Sequence, residues 1–188
     1  MIGDELLRGE KVRLCAWTKD DIPVVTGWYQ SVEFMRLFDT IPARPRTAEY
    51  VAQWMDEAEK SPNVFSFGVR IVDGGKLIGL VEVEDILWAH GVGSLSVGIG
   101  DPAYRGGGYG SEAIALVLRF AFHEINLHRV QLNVYRYNER AIAAYEKLGF
   151  VREGVLREFL NRDGQRHDVF VYGLLRREWE AQQGGNGN

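Results

Sequence analysis

Cysteine is almost missing from this chain: Cys15 is the single one among 188 residues, so no disulfide can close within the molecule. Long apolar runs are missing too. Nothing approaches the roughly 20 consecutive apolar residues that a membrane-spanning helix needs. The first stretch, Met1 to Lys11, mixes Asp4, Glu5, Arg8 and Glu10 with few hydrophobic residues and lacks the apolar centre of a secretory signal. A cytoplasmic location is the expectation from these absences. Positive charge is not in excess either. Lys and Arg number 22 against 26 Asp and Glu, a formal net charge of −4. That balance argues against a nucleic-acid partner held through its phosphates. It is compatible with a cationic partner, although a mild negative charge also serves solubility alone. Repeats, low-complexity stretches and linkers are absent.

What is present suits one domain. Apolar residues make up 46% and charged residues 26%, as in ordinary soluble globular proteins, and the length is that of a single domain. Residues 1–183 are expected to fold together, with Gly184-Gly-Asn-Gly-Asn188 as a disordered tail. Lys11 to Trp17 reads as a first strand. Thr18 is placed to cap a helix over Lys19 to Tyr29, with Asp20 and Asp21 at its positive end. Thr47 caps a second helix over Ala48 to Lys60. Asn63 to Ile71 and Lys76 to Glu84 form a hairpin about Asp73-Gly-Gly75, and Ser94 to Gly100 is a further strand. Gly110 to Glu124 carries Ile114, Val117, Leu118, Ala121 and Phe122 at helical period. Arg129 to Arg136 alternates like a strand. Asn138 to Leu148 is a helix closed by Gly149, and two last strands flank Arg162-Asp-Gly164. This order predicts an α/β domain on one mixed, twisted sheet.

The most informative segment runs from Ser94 to Ser111. A strand ends, Pro102 breaks it, and Gly106, Gly107, Gly108 and Gly110 follow before a long helix begins. Glycines let a backbone approach a ligand and adopt positive φ. The first N–H groups of a helix have no partner within it and its dipole adds positive charge there, which makes an anion site suited to a pyrophosphate. Arg105 adds a full charge. No lysine follows the glycines, which excludes a P-loop. The segment also comes after a β-meander rather than after the first strand of a βαβ unit, which excludes a dinucleotide fold.

Arg105-Gly-Gly-Gly108-Tyr-Gly110 resembles the (Gln/Arg)-x-x-Gly-x-(Gly/Ala) signature of the GNAT acetyltransferases. Asn138-Glu-Arg-Ala-Ile-Ala-Ala-Tyr145-Glu-Lys-Leu-Gly-Phe150 resembles their second signature. The Arg162-Asp-Gly-Gln-Arg-His167-Asp168 stretch is similar to the branch holding the ribosomal-protein N-terminal and polyamine acetyltransferases. The resemblance implies a largely antiparallel sheet flanked by helices, with a splayed central strand pair, over residues 1–183. It implies acetyl-coenzyme A as donor, with no metal. Its pyrophosphate would lie on the backbone N–H groups from Arg105 to Ser111, and its pantetheine arm would pair with Val97–Ile99 like an added strand. The implied cofactor contacts are Val97, Gly98, Ile99, Arg105, Gly106, Gly107, Gly108, Tyr109, Gly110, Ser111, Asn133 and Asn138.

Asn138 and Tyr145 stand seven residues apart, about two turns and roughly 10 Å along one helix face. Asn138 can serve as the helix N-cap and still contact a cofactor amide. By packing alone Tyr145 reads as a core residue. The resemblance places its hydroxyl near the thioester sulfur, where a phenol of pKa about 10 can donate to the leaving thiolate. The acceptor amine must lose a proton. Glu82 and Glu84 share one face of a strand, and Glu84, nearer the strand's end, is the candidate base. A solvated strand face is the plainer reading of both. His90, His123, His128 and His167 read as surface or structural residues, and Cys15 as a small buried hydrophobe, which leaves direct transfer.

The acceptor side is expected from the early helices and from a loop over Phe34 to Arg46, with Phe34, Met35, Arg36, Phe38, Asp39, Arg44 and Arg46, and Trp28 before it. The acceptor is read as a protein N-terminus, with a small amine (polyamine, amino acid or aminoglycoside) or a non-catalytic acyl-coenzyme A-binding module as alternatives. An open groove between that loop and the last hairpin favours a polypeptide, and an acidic closed pocket a polyamine. The resemblance also implies a possible homodimer through the last strands. Neither a nucleic acid nor a membrane is expected as a partner.

Overall fold

The computed structural model of the chain describes residues 6–185. Its centre is one seven-stranded sheet. In chain order the strands are β1 (Val12–Cys15), β2 (Phe65–Ile71), β3 (Leu77–Leu87), β4 (Val92–Ile99), β5 (Arg129–Tyr135), β6 (Val151–Arg162) and β7 (Gln165–Leu175). In space they run β1-β2-β3-β4-β5-β7-β6. Every neighbouring pair is antiparallel except β4 with β5, which are parallel. That pair holds register only from Val92 to Ser94 against Arg129 to Gln131. Beyond it the strands part, so the mixed, largely antiparallel sheet with a splayed centre is observed.

Helices cover both faces. α1 (Asp21–Trp28), α2 (Val32–Phe38) and α3 (Ala48–Lys60) lie on one side, where Val25, Trp28, Phe34, Met35, Val51 and Met55 bury against Leu80 of β3. α4 (Tyr109–Arg119), α5 (Glu139–Lys147) and α6 (Arg176–Gly185) lie on the other. There Ile114, Val117, Tyr145 and Trp179 close on Val81, Val83, Leu95, Val130 and Leu132. Alternation along β3 explains the division: Val81 and Val83 point to the second core, while Leu80 and Glu82 point to the first.

Several sequence expectations change. Thr18 is not an N-cap. The carboxylate of Asp21, 3% exposed, accepts instead from the Thr18 N–H and hydroxyl at 2.8 and 2.9 Å and pairs with Arg70 at 2.5 Å. A buried carboxylate needs such partners more than a helix needs a cap. The expected loop from Phe34 begins as helix: Ser31 accepts from Phe34 N, and Phe34, Met35 and Phe38 turn one short face to the sheet. At seven residues the element is too short to announce its period. The chain does not end in two strands, since α6 follows β7 and buries Trp179 against Phe122 at 5.2 Å. Thr47 does cap α3, accepting from Tyr50 N. α4 gives way to a π-turn over Phe120–Glu124. α6 reaches Gly185, two residues into the segment expected to be a tail, and residues 186–188 lie outside the described ones.

One side chain ties the sheet's edge to the start of α4. Glu112, in the helix's first turn, accepts from the backbone N–H groups of Glu10, Lys11 and Val12 at 2.6, 2.9 and 3.1 Å. Glu112→Ala leaves these donors without their charged acceptor. The expected cost is about 2–3 kcal/mol, seen in urea unfolding as a lower midpoint at unchanged slope.

Candidate active site

The chemistry-bearing segments meet where β4 and β5 part. After β4 the chain makes one tight turn, Pro102–Tyr104, and the Asp101 carboxylate accepts from Ala103 N at 3.0 Å. Gly108 then takes φ +85° as the N-cap residue of α4, a left-handed conformation that costs glycine little and other residues more. No side chain caps α4, so its first N–H groups stay available to an anion. On the far side, Asn138 caps α5 by accepting from Ala141 N at 3.3 Å. α5 therefore starts at the gap and lays Ala141, Ala144 and Tyr145 along it.

Between these elements lies a cavity of about 420 Å³. Of the residues expected at the site, it is lined by Val97, Gly98, Ile99, Arg105, Gly106, Gly108, Gly110, Ser111, Asn133, Asn138 and Tyr145. Gly107 and Tyr109 belong to the same turn but do not line it. Phe34, Leu37 and Phe38 of α2 close it over Gly98, where a Cβ would meet Phe38 at 3.0 Å and Phe34 at 3.1 Å. The charged residues on its wall are Arg105, Arg140 and Lys147, all cations. A groove with unpaired strand edges, a helix N-terminus and cationic walls fits a long ligand carrying several phosphates.

Arg105 is less available than expected. Its side chain is 9% exposed; its Nε donates to Ile99 O at 2.9 Å and its Nη1 to Glu33 at 3.0 Å. It splints the end of β4 to α2. A cation that the sequence reading missed stands at the loop instead: Lys11 Nζ donates to Gly107 O at 3.0 Å. Nothing in the local sequence marks Lys11, which lies 96 residues from its partner.

Tyr145 is buried, and burial alone raises its phenol above the usual range, with no hydrogen bond or charge contributing. It stays protonated at neutral pH and so has a proton to donate. On β3, Glu84 accepts a hydrogen bond from the Ser96 hydroxyl, and Ser96 itself lines the cavity. Burial raises the Glu84 carboxyl, the Ser96 bond opposes this, and the charges of Asp85 and Asp39 add to it. Glu84 thus reaches the cavity wall through Ser96 rather than lining it. Its neighbour Glu82, passed over in the sequence, is the deeper of the two, 5% exposed with Oε1 unpartnered. Burial pushes it up to about 7, against the Ser66 hydroxyl and with the charge of Glu84.

The groove between residues 34–46 and the last hairpin is strapped. Arg162 Nη2 reaches the carbonyls of Asp39, Thr40 and Ile41 at 3.0, 3.4 and 3.2 Å. Arg36 forks onto Asp163 at 2.8 and 2.9 Å, and the Tyr137 hydroxyl donates to Arg36 O at 2.8 Å. Arg46 lies over the Tyr50 ring at 4.3 Å. None of the four histidines is in the cavity's lining. His123 packs edge-on against Trp179 and His167 against Tyr137. Cys15 is half-buried rather than buried. Among the described residues no group of three or more potential metal-binding side chains comes together, and no helix is long and apolar enough to cross a membrane.

Comparisons with known proteins agree with this geometry. A family profile described as an acetyltransferase (GNAT) domain matches residues 11–151. The prophage-derived N-acetyltransferase YokL of Bacillus subtilis is 31% identical over 94% of this chain and 96% of its own. The spermidine N(1)-acetyltransferase of Vibrio cholerae is 37% identical over 50% of this chain and 53% of its own. Among solved structures, a spermidine N-acetyltransferase from Vibrio cholerae in complex with CoA and spermine superposes with a TM-score of 0.83. It is 24% identical, over 92% of this chain and 99% of that one.

The Glu82 shift has a consequence for stability. Its carboxyl rises on folding from an ordinary 4.5 to about 7. The folded state is therefore favoured below the unfolded value, and that advantage disappears as pH climbs from 4.5 through 7. Between pH 5 and pH 8 the protein is expected to lose about 2–3 kcal/mol relative to Glu82→Gln. Denaturation of both proteins across that range tests it, and parallel curves would refute the shift.

Proposed function

The chain belongs to the GNAT acetyltransferases, and from that premise we propose that it transfers an acetyl group from acetyl-coenzyme A directly to a primary amine. The observation that carries this reading is the cavity at the parting of β4 and β5, with the N-terminus of α4 at one end and Tyr145 on its wall. Acetyl-coenzyme A supplies an activated thioester. The residues from Arg105 to Ser111 would hold its pyrophosphate through backbone N–H groups, and Val97–Ile99 would pair with its amide-bearing arm. Asn133 and Asn138 would add side-chain contacts. Tyr145, whose phenol is protonated at neutral pH and is raised further by burial, would donate to the departing sulfur.

Glu84 would take the amine's proton through the Ser96 hydroxyl that already donates to it. As the ammonium gives a proton to Ser96 Oγ, Ser96 gives its own to Glu84, and the neutral amine is free to attack.

For the acceptor, a compact amine fits better than the polypeptide N-terminus expected from sequence. The strap of Arg162, Arg36 and Asp163 bridges the groove that an extended chain would need. Asp39, Glu82 and Glu84 also act together on this side: Asp39 and Glu82 raise Tyr29, and Asp39 raises Glu84. Acidic surroundings suit a cationic amine. A homodimer would use β6, the edge strand, where Val151, Val155 and Phe159 are exposed.

Calorimetric titration with acetyl-coenzyme A, with NAD as the control, tests the donor. Micromolar binding of acetyl-coenzyme A alone is expected, and no binding ends the reading. Gly110 has ordinary φ, and a Cβ there meets only Ile99 at 3.4 Å, so Gly110→Val fills the cavity without straining the backbone. It should weaken acetyl-coenzyme A binding by about tenfold or more at unchanged melting temperature. Tyr145→Phe should keep acetyl-coenzyme A affinity while lowering turnover on whichever amine of a panel is acetylated, by roughly ten- to a hundredfold. Unchanged turnover would remove its leaving-group role.

A further inference from the structure

One wall of the cavity carries a tyrosine to which the chemistry above gives no task. Tyr135, the last residue of β5, is 6% exposed and lines the cavity together with Ser96 and Tyr145. β4 and β5 pair from Val92 with Arg129 to Ser94 with Gln131, and the same register carried four residues on sets Tyr135 across the slot from Gly98. Alternation fixes the face. Val130, Leu132 and Val134 of β5 bury with α4, α5 and α6, as Leu95 of β4 does. Tyr135 therefore projects with Ser96 to the opposite side of the sheet, where Phe34 and Phe38 cover Gly98 and where Glu84 accepts from Ser96.

The ring is pinned and the hydroxyl is free. Tyr135 packs with Leu160 and Val169 of the last hairpin, and its ring lies 5.4 Å from that of Tyr137. Tyr137 is itself fixed, by donating to Arg36 O at 2.8 Å and by His167 edge-on at 5.1 Å. Tyr137 and Tyr172 use their hydroxyls within the protein, on Arg36 O and on Glu146. Among the described residues the Tyr135 hydroxyl has no such partner. Burial raises its phenol above the usual range, with Tyr137, Asp39 and Tyr145 adding to this and Arg162 opposing it. The group is therefore neutral at pH 7, with lone pairs and one proton to offer. A polar group in such a wall is completed by solvent or by a ligand.

An attacking amine has a use for that oxygen. In the reaction proposed above, Ser96 takes the proton that leaves the ammonium. Two N–H groups remain on the nitrogen, and it can still turn about its C–N bond. A hydrogen-bond acceptor on the facing wall stops that rotation and aims the lone pair at the thioester carbon. We infer that the Tyr135 hydroxyl accepts a hydrogen bond from the amine across the slot from Ser96, as a catalytic residue that orients the acceptor without exchanging a proton with it. The inference rests on the acetyl-transfer reading above and adds a contact to the acceptor on the β5 wall.

The test is steady-state kinetics of the wild type and Tyr135→Phe, with acetyl-coenzyme A and the amine best acetylated in a panel. Phenylalanine keeps the ring and its packing, and melting curves check that the fold is unchanged. Tyr135→Phe should lower kcat/KM for the amine by about tenfold, the loss of one hydrogen bond. The KM for acetyl-coenzyme A should stay within about twofold. The pH profile of kcat/KM should keep its midpoint, because Tyr135 is outside the proton path. An undiminished kcat/KM in Tyr135→Phe overturns the inference. So does an equal rise in the KM for acetyl-coenzyme A, which would assign the hydroxyl to the donor. So does a displaced midpoint, which would put Tyr135 in the proton path. If the wild type acetylates no amine of the panel, the acetyl-transfer reading fails and this inference with it; if the wild type is active and Tyr135→Phe equals it, this inference alone fails.

Discussion

Two parallel strands that share a ladder for three residue pairs and then separate leave backbone N–H and C=O groups facing one another across a gap. Backbone groups in a protein interior are obliged to find partners. Such a gap persists only if each strand is held from its other side, and both are. β4 pairs with β3 from Gly79 to Leu87, and β5 pairs with β7 along its whole length. α2 fills part of the opening with Phe34 and Phe38, close enough to Gly98 that a side chain there would crowd them. In the proposed reading the remaining width would take the donor's extended, amide-bearing arm, which would complete the ladder. The glycine turn lies at one end of this slot because β4 ends there. Tyr145 lies along it because α5 begins where β5 stops.

The distribution of charge follows from the same geometry. Arg105 belongs to the glycine motif, yet its guanidinium is used to fasten the end of β4 to α2 through Ile99 O and Glu33. A desolvated arginine with such partners is a splint first. In the proposed reading, anion binding at the turn would then fall to backbone N–H groups, the helix dipole and the ammonium of Lys11, the residue before β1. The backbone is the better instrument for a diphosphate, since it is already fixed and loses no side-chain entropy on binding.

The parts of this arrangement that were legible in the sequence are local. Strand, glycine turn and helix follow one another within Ser94 to Ser111. Asn138, Tyr145 and Gly149 announce a capped and terminated helix whose face the spacing determines. The parts that were not legible depend on contacts between distant segments. Asp21 looks like a first-turn acid until Arg70, 49 residues away, draws it into the interior. The strap joins residues more than 120 apart, so the openness of the acceptor side could not be read from either half. Choosing between Glu82 and Glu84 by distance from the strand's end failed to anticipate their burial. Ser66 and Ser96 stand opposite Glu82 on the flanking strands, and burial under Tyr29 and its neighbours makes Glu82 the more perturbed carboxylate.

The two carboxylates fit different tasks for that reason. A base that works near neutral pH must be partly ionised there and must exchange protons with the substrate's surroundings. Glu84 is half-buried, and its hydrogen bond to Ser96 connects it to the cavity. Glu82 is sealed, and the charge of Glu84 adds to the burial that keeps its carboxyl protonated. Acetyl transfer needs a proton to leave the amine and a proton donor to meet the departing sulfur. Ser96 and Glu84 lie on the β3–β4 side of the slot and Tyr145 on the α5 side, so in the proposed reaction the splayed pair would separate the two errands. Burial raises the Tyr145 phenol further above neutrality, so in the proposed reaction it would serve the departing sulfur as a donor while the amine's proton leaves through Ser96 on the opposite wall.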